Sequence, residues 1–300
     1  MNSLTKIKLW FEAQRERIVL GLFMVPAFVV VAIFQLIPAI STIWFSLTDI
    51  ALAGPKAINW RFIGIGNYVS VVNDWAFWVS MRVTTIYCVA SLVIRFILGI
   101  ITALYVTSKV FKGKRIMEAI FLLPYIVPGV IKPTVWYSML EPNYGTINRI
   151  LIAMGLPRQS WTYGRLLESI IIVNCWAGYA FAMILLASAL ASIPKEYYET
   201  AEVYGASRWF KFKKITFPLI KYPIILCLIM IFKEDIDDFT YAYMFTGEAP
   251  YPDYRSELLA LYTYHEAFAY FELGYGCAVG FIIAIIVFIL TLAQMKIGGA

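Results

Sequence analysis

The sequence predicts an all-α, polytopic membrane protein with about six transmembrane helices. Of its 300 residues, 61% are hydrophobic and only 15% are charged, whereas soluble domains average about 45–50% apolar and about 25% charged residues. The mean hydropathy is +0.74. Six separate stretches are apolar over the ~20 residues that a membrane-crossing helix needs. No water-soluble core could bury so much apolar side chain, so a bilayer is the expected solvent.

The six predicted spans differ in regularity. They cover approximately 19–47, 79–107, 116–140, 167–192, 218–245 and 273–295. The first lacks a small-residue cleavage site, so we expect it to be a retained span rather than a removed signal. The third contains Pro124, Pro128 and Pro133 and is expected to be kinked or broken. The fifth is the least regular, because the charged run 233–238 interrupts it.

The loop charges predict the orientation. One side carries fifteen Lys and Arg residues and the other carries six. The fifteen are Lys6, Lys8, Arg15, Arg17, Lys109, Lys112, Lys114, Arg115, Lys195, Arg208, Lys211, Lys213, Lys214, Lys221 and Lys296; the six are Lys56, Arg61, Arg149, Arg158, Arg165 and Arg255. Cytoplasmic loops carry the positive excess, so both termini are predicted to be cytoplasmic and the loops 48–78, 141–166 and 246–272 to face outward. Residues 3–17 fit either an amphipathic helix on the inner surface or a plain basic tail.

The chain is interpreted as one transmembrane domain over residues 1–300, with a cytoplasmic N-terminal segment, 1–17, and a cytoplasmic loop, 194–217. Signals of enzymatic chemistry are nearly lacking: there is one histidine, His265, and no Gly-x-x-x-x-Gly-Lys-Ser/Thr phosphate loop. The four cysteines (Cys88, Cys175, Cys227 and Cys277) lie inside apolar runs and fit neither a zinc site nor a disulfide framework. We therefore expect no catalytic residue, metal or cofactor in this chain and no nucleic-acid partner.

The cytoplasmic loop between the fourth and fifth spans is the most informative segment. Pro194 suits a helix start, and Glu199, Glu202 and Ala206 are spaced to share a helix face. Gly205 can end or cap that helix and lets another backbone approach closely. The aromatic and basic residues after it suit a lipid interface with anionic headgroups. On these grounds alone, an ordinary interfacial loop and a docking helix both remain open.

This loop resembles the ATPase-docking loop of permease subunits in binding-protein-dependent ABC importers. The matching positions are Glu199, Ala201, Gly205, Ala206, Phe212, Ile215 and Pro218. The departures are Thr200, where the family carries alanine, and Tyr204, where sugar permeases usually carry Asp. Segments 62–68, 122–124, 145–151, 246–250 and 274–278 also resemble family motifs, so the resemblance covers most of residues 20–295. Its class is the carbohydrate-uptake (maltose/glycerol-phosphate) type.

The resemblance implies a set of partners and a role for the loop. The partners would be a second, homologous permease subunit, two ATP-binding subunits that hold ATP and Mg, and a periplasmic or lipid-anchored substrate-binding protein. The substrate would be a carbohydrate, and the location a bacterial or archaeal cytoplasmic membrane. The ATPase-coupling residues would be Glu199, Ala201, Glu202, Gly205 and Ala206, on a helix that moves as a lever.

Polar and aromatic residues within the spans are candidates for the translocation path, because charges inside a membrane are expensive. The candidates are Arg95, Lys132, Trp136, Tyr137, Trp176, Tyr179, Asp235 and Asp238. Arg82 is expected to snorkel outward from the start of its span. The 233–238 cluster departs from the family, and it is open whether it forms a polar cavity wall or an intersubunit ion-pair network.

The sequence leaves open the charge of the substrate and the class of transporter. Arg95 and Lys132 suggest an anionic substrate such as an acidic oligosaccharide, but both could instead pair with acids of the fifth span such as Asp235 or Asp238. The alternative function is an ion-coupled secondary transporter that uses the 233–238 cluster.

Overall fold

A computed structural model describes residues 19, 21–108, 113–247 and 257–298. Five helices are long and apolar enough to cross a membrane, and a bent pair of shorter helices forms one more span, the third of six in chain order. The five helices are Gly21–Ser46, Trp75–Thr107, Leu166–Ala191, Arg208–Thr246 and Leu273–Lys296; the pair is Lys114–Ile126 and Ile131–Leu140. The predicted all-α membrane architecture is therefore confirmed. The cytoplasmic N-terminal segment 1–17, whether amphipathic helix or basic tail, lies outside the described residues, as do Lys109, Lys112, Asp253 and Arg255.

The third span is broken, as its prolines predict. Its two helices meet at 95° across residues 127–130, and Pro128 lies in this break. Proline lacks an N–H and disfavours helical geometry in the residue before it. Lys132 therefore comes to lie in the first turn of a new helix, Ile131–Leu140, instead of in the middle of a continuous one.

The fifth span begins ten residues before the predicted start at 218. Its helix starts at Arg208, where the Ser207 hydroxyl accepts a hydrogen bond from the N–H of Phe210 at 3.2 Å. The predicted span start at 218 is therefore too late, although the α-helix Phe217–Ile236 does carry Pro218 in its first turn. A wider π-helical turn, Phe212–Thr216, precedes Pro218. It accommodates the proline ring, which in a regular α-helix would clash with the backbone carbonyl of the preceding turn. The span is interrupted at 237–239 and resumes as Thr240–Thr246.

The second, fourth and fifth spans form the centre of the molecule. The second and fourth pack along their length and the fifth packs on both. Small residues permit this approach, since a side chain at Gly99 would overlap Ala182. The first span has no buried residue in its apolar window and packs against the sixth span. The rest of its surface is apolar, as expected for contact with lipid or with another membrane subunit.

Buried polar contacts hold the end of the molecule that is predicted to face outward. The hydroxyls of Tyr262 and Tyr275 both donate to Asp74, at 2.7 and 2.9 Å, and Asp74 also caps the second span. His265 is fully buried, with Nδ1 2.6 Å from a carboxylate oxygen of Glu257. Burial raises the pKa of the neighbouring Glu266 to about 7. The contact with Glu257 gives His265 a structural partner within the fold.

Candidate functional site

The segment between the fourth and fifth spans forms the helix Lys195–Val203, which we call the loop helix. Pro194 precedes its first residue, and Glu196 lies in the first turn, where the helix dipole favours an acid. Gly205 ends it with a φ of +67°, a conformation that costs other residues free energy. The N–H of Gly205 donates to the backbone carbonyl of Glu202, and the N–H of Ala206 donates to that of Ala201, both at 2.9 Å. This double closure is the Schellman motif, and the start and end predicted for this helix are confirmed.

Side-chain contacts fix the loop helix to the base of the fifth span. Glu202 forms an ion pair with Lys211 at 2.7 Å, and the Tyr198 hydroxyl lies 2.9 Å from that of Thr216. Glu199 and Glu202 line a cleft of about 660 Å³ together with Lys114, which begins the third span, and Lys195. A displacement of the loop helix would therefore act directly on the fifth span.

The end of the loop helix that bears Gly205 is exposed. Val203 is 86% exposed and Tyr204 is 85% exposed, and a side chain built at Gly205 would meet open space. Ala206 lies beyond the last helical turn, because the chain turns at Gly205. It therefore does not share a helix face with Glu199 and Glu202, contrary to the spacing argument.

A second candidate site lies inside the membrane region, in a cavity of about 630 Å³ between the breaks of the third and fifth spans. We call it the membrane cavity. Its lining residues are Tyr125, Gly129, Lys132, Asn174, Phe181, Met230, Lys233, Glu234, Asp237, Asp238, Phe239, Thr240 and Tyr241. Helix breaks bring unpaired backbone groups and charged side chains to membrane depth, where discontinuous helices build binding sites in transporters.

Arg95 lies behind one wall of the membrane cavity and is fully buried. Its guanidinium contacts Asp235 at 2.6 Å and Glu234 at 2.5 Å. Asn174 donates to the same oxygen of Asp235 at 2.8 Å. A side chain at Gly178 would overlap the guanidinium, so the glycine makes room for it. Arg95 thus joins the second, fourth and fifth spans, and it pairs with acids as one of the two sequence hypotheses held.

The structure places the eight path candidates in three different settings. Lys132 and Asp238 line the membrane cavity, whereas Arg95 and Asp235 are buried behind it. Asp238 accepts hydrogen bonds from the Tyr87 hydroxyl and from the N–H of Tyr241. Lys132 lies 5.9 Å from the ring centre of Tyr125, and in the described part of the chain no ion pair joins it to an acid.

The four aromatic candidates pack elsewhere. Trp136 and Trp176 contact each other with ring centres 5.5 Å apart, and Tyr137 packs on Phe245. The Tyr179 hydroxyl donates to the carbonyl of Phe121 at 3.1 Å. Aromatic residues that the sequence reasoning did not single out line the cavity instead: Tyr125, Phe181, Phe239 and Tyr241. For Tyr125, Phe239 and Tyr241, proximity in the sequence to Pro128 or to the charged run was the available signal, whereas Phe181 lies in the fourth span, far from both.

The described residues contain no group of three or more His, Cys, Asp or Glu side chains arranged to hold a metal ion. The membrane cavity offers carboxylates, ammonium groups, an amide and aromatic rings. These groups can form hydrogen bonds with a polyhydroxylated molecule and stack against its apolar faces.

Comparisons with known proteins extend these observations. The sequence profile of the family described as binding-protein-dependent transport system inner membrane component matches residues 95–297. The trehalose/maltose transport system permease protein of Thermococcus litoralis is 32% identical over 99% of this chain and 98% of its own length. The trehalose transport system permease protein of Mycobacterium tuberculosis is 27% identical over 95% of this chain and 90% of its own.

Among solved structures, the fold is similar to that of a chain in a bacterial ABC transporter involved in the import of the acidic polysaccharide alginate. The TM-score is 0.82 at 22% identity, over 97% of this chain and 98% of that chain. At this identity the similarity establishes the fold alone.

Proposed function

This chain belongs to the inner-membrane component family of binding-protein-dependent transport systems, and we propose that it is the permease subunit of an ATP-driven carbohydrate importer. It would form half of the translocation path for a sugar that a substrate-binding protein delivers. The observation that carries the proposal is similarity over nearly the whole chain to a trehalose/maltose permease. A loop helix anchored on the fifth span supports it.

The loop helix is the proposed contact with the ATPase. It presents the adjacent side chains of Val203 and Tyr204, both largely exposed, as an apolar surface that a partner could cover. Its attachment to the fifth span through Lys211 and Thr216 would transmit movement of the ATPase into the membrane. ATP and Mg would be bound by two separate ATPase subunits, and a second permease subunit would complete the path. Closure of the ATPases would then switch the cavity between inward- and outward-facing states by rigid-body motion.

ATP-dependent uptake into proteoliposomes tests the proposal. We expect the complex of this chain with its partner subunits and binding protein to accumulate labelled maltose or trehalose only with internal ATP. A nonhydrolysable analogue should stop uptake, and ionophores that collapse ion gradients should leave it unchanged. Uptake that needs an ion gradient and no ATP would contradict the proposal and support a secondary transporter coupled through the 233–238 cluster.

The proposed location is a bacterial or archaeal cytoplasmic membrane with both chain termini inside, and single-cysteine labelling tests the orientation. A membrane-impermeant maleimide added from outside should label Arg158→Cys, which lies in the loop predicted to face outward, and spare Lys213→Cys. Permeabilisation should then expose position 213, which controls for its reactivity. Labelling of 213 with protection of 158 in intact cells would reverse the topology. Asp253→Cys, in a segment outside the described residues, should label like position 158.

A further inference from the structure

The charges of the membrane cavity do not match an anionic ligand. Two lysines line it, Lys132 and Lys233, against three carboxylates, Glu234, Asp237 and Asp238. Behind the wall, the single positive charge of Arg95 is shared between Asp235 and Glu234. The lining and its buried support together are therefore more negative than positive.

The cations in and behind the membrane cavity also differ in whether a ligand can bind to them. Arg95 has no exposed surface, so a ligand cannot reach it. Lys233 forms an ion pair with Asp237 at 3.2 Å, four residues further along the chain and just past the end of its helix. Within the described ranges, Lys132 is the one cavity cation without a carboxylate at ion-pair distance. A ligand with a carboxylate on every sugar ring would therefore find one available cation.

Two of the three carboxylates, in contrast, are accessible. The side chain of Glu234 is 62% exposed although one of its oxygens contacts Arg95, and that of Asp237 is 51% exposed. A carboxylate accepts hydrogen bonds and cannot donate them when ionised. Sugar hydroxyl groups supply the matching donors, and the rings of Tyr125, Phe239 and Tyr241 offer apolar faces. Lys132 could pair with one carboxylate of an acidic ligand. Any further ligand carboxylate would lie close to the carboxylates of the cavity, and like charges repel at short range.

We infer that Glu234, Asp237 and Asp238 make the membrane cavity a charge filter that accepts an uncharged, polyhydroxylated sugar and rejects acidic oligosaccharides. The inference rests on the proposed function and specifies its substrate class. It replaces the hypothesis of an anionic substrate, which considered Arg95 and Lys132 without the carboxylates around them. In this arrangement Lys132 donates to a sugar oxygen at the opposite wall.

The sign of the cavity potential can be measured without knowing the substrate. Thr240 lines the cavity, and Thr240→Cys introduces a thiol there in the assembled transporter. The rates of modification by a cationic (trimethylammonium-ethyl) and an anionic (sulfonatoethyl) methanethiosulfonate are compared, relative to the same rates for 2-mercaptoethanol. We expect the cationic reagent to be favoured by about tenfold, as a net negative charge within several ångströms would produce. A ratio at or below that of 2-mercaptoethanol would overturn the inference.

Charge variants on the Thr240→Cys background sharpen this test. Asp237→Asn should lower the preference for the cationic reagent, and Lys132→Met should raise it. Glu196→Gln removes one negative charge from the loop helix, outside the cavity, and should leave the preference unchanged. The transporter without Thr240→Cys corrects for its own cysteines, of which Cys88, Cys175 and Cys227 are buried. Identical ratios in the Asp237→Asn and Lys132→Met variants would also contradict the inference.

Sugar binding supplies the second arm. Labelled maltose binding to the transporter in lipid nanodiscs is competed with unlabelled maltose or with digalacturonate, which has a similar size and a carboxylate on each ring. We expect digalacturonate to compete at least about tenfold more weakly. Equal competition would overturn the charge filter. Absence of maltose binding, together with the expected reagent ratio, would count against the proposed maltose-type substrate while the charge filter stands.

Discussion

Charge reversal at Glu199 is expected to cause a large loss of sugar-stimulated ATP hydrolysis and transport while the membrane subunits still assemble. Glu199 lines the cleft that also contains Lys114 and Lys195, so Glu199→Lys places three ammonium groups around one cleft at the base of the loop helix. Like charges repel at this range. Coupling between sites typically amounts to about 1–3 kcal/mol, so we expect activity to fall by about tenfold or more. The measurement is ATP hydrolysis in proteoliposomes with and without the sugar-loaded binding protein.

Glu196→Lys is the matched control for this prediction. It makes the same charge change on the same helix, but Glu196 lies in the first turn and does not line the cleft. It should lose only the dipole interaction, worth about 0.3–1 kcal/mol. Co-purification of the permease and ATPase subunits separates lost docking from lost coupling. Normal hydrolysis and transport in Glu199→Lys would contradict the proposed role of the loop helix.

Gly205→Trp should produce a similar loss by a different route. The positive φ of Gly205 makes any other residue costly by about 1–2 kcal/mol, and the indole would occupy the exposed surface proposed for docking. Gly155 provides a control with the same local geometry, with a φ of +75° and open space around it. It follows the helix Thr146–Ala153 in a loop predicted to face outward. Gly155→Trp should therefore carry a similar strain and keep ATPase coupling; equal losses at both positions would mean that strain alone explains the effect.

Removal of the guanidinium of Arg95 is expected to cause the largest loss of stability in the membrane region. Arg95→Met leaves Asp235, which is 1% exposed, as a buried carboxylate without its cation. Breaking a buried ion pair in this way costs about 3–5 kcal/mol. The thermal denaturation midpoint of the transporter in nanodiscs should fall accordingly. Arg82→Met is the control, because Arg82 lies in the same helix and is exposed, and it should have little effect.

The ion-pair arrangement also predicts an asymmetry between the two partners. Asp235→Asn should cost less than Arg95→Met, because Arg95 keeps its contact with Glu234, and the double variant should recover part of the loss. Gly178→Ala should destabilise as well, since the added methyl group would overlap the guanidinium. An unchanged midpoint in Arg95→Met would refute the structural role assigned to this residue.

The sequence by itself determined the all-α membrane class, the approximate positions of the six spans and the two ends of the loop helix. These features depend on local properties: the length of apolar runs, the missing N–H of Pro128, and the freedom of Gly205 to adopt a positive φ. Each acts within a few residues of the position that shows it. The same locality explains why the start of the fifth span was predicted too late: a π-helical turn keeps the helix continuous from Arg208 to Pro218.

Only the tertiary structure decided what the membrane charges do. Arg95 and Asp235 are 140 residues apart in the chain, and nothing in their spacing could show whether they meet or face a cavity. The packing of the second, fourth and fifth spans buries Arg95 against two acids, and the two helix breaks turn Lys132, Glu234 and Asp237 toward a shared cavity. Electrostatic interactions depend on distance and burial in three dimensions. Arg95 and Lys132, which suggested an anionic ligand in the sequence, lie in the structure near carboxylates that would repel an anionic ligand.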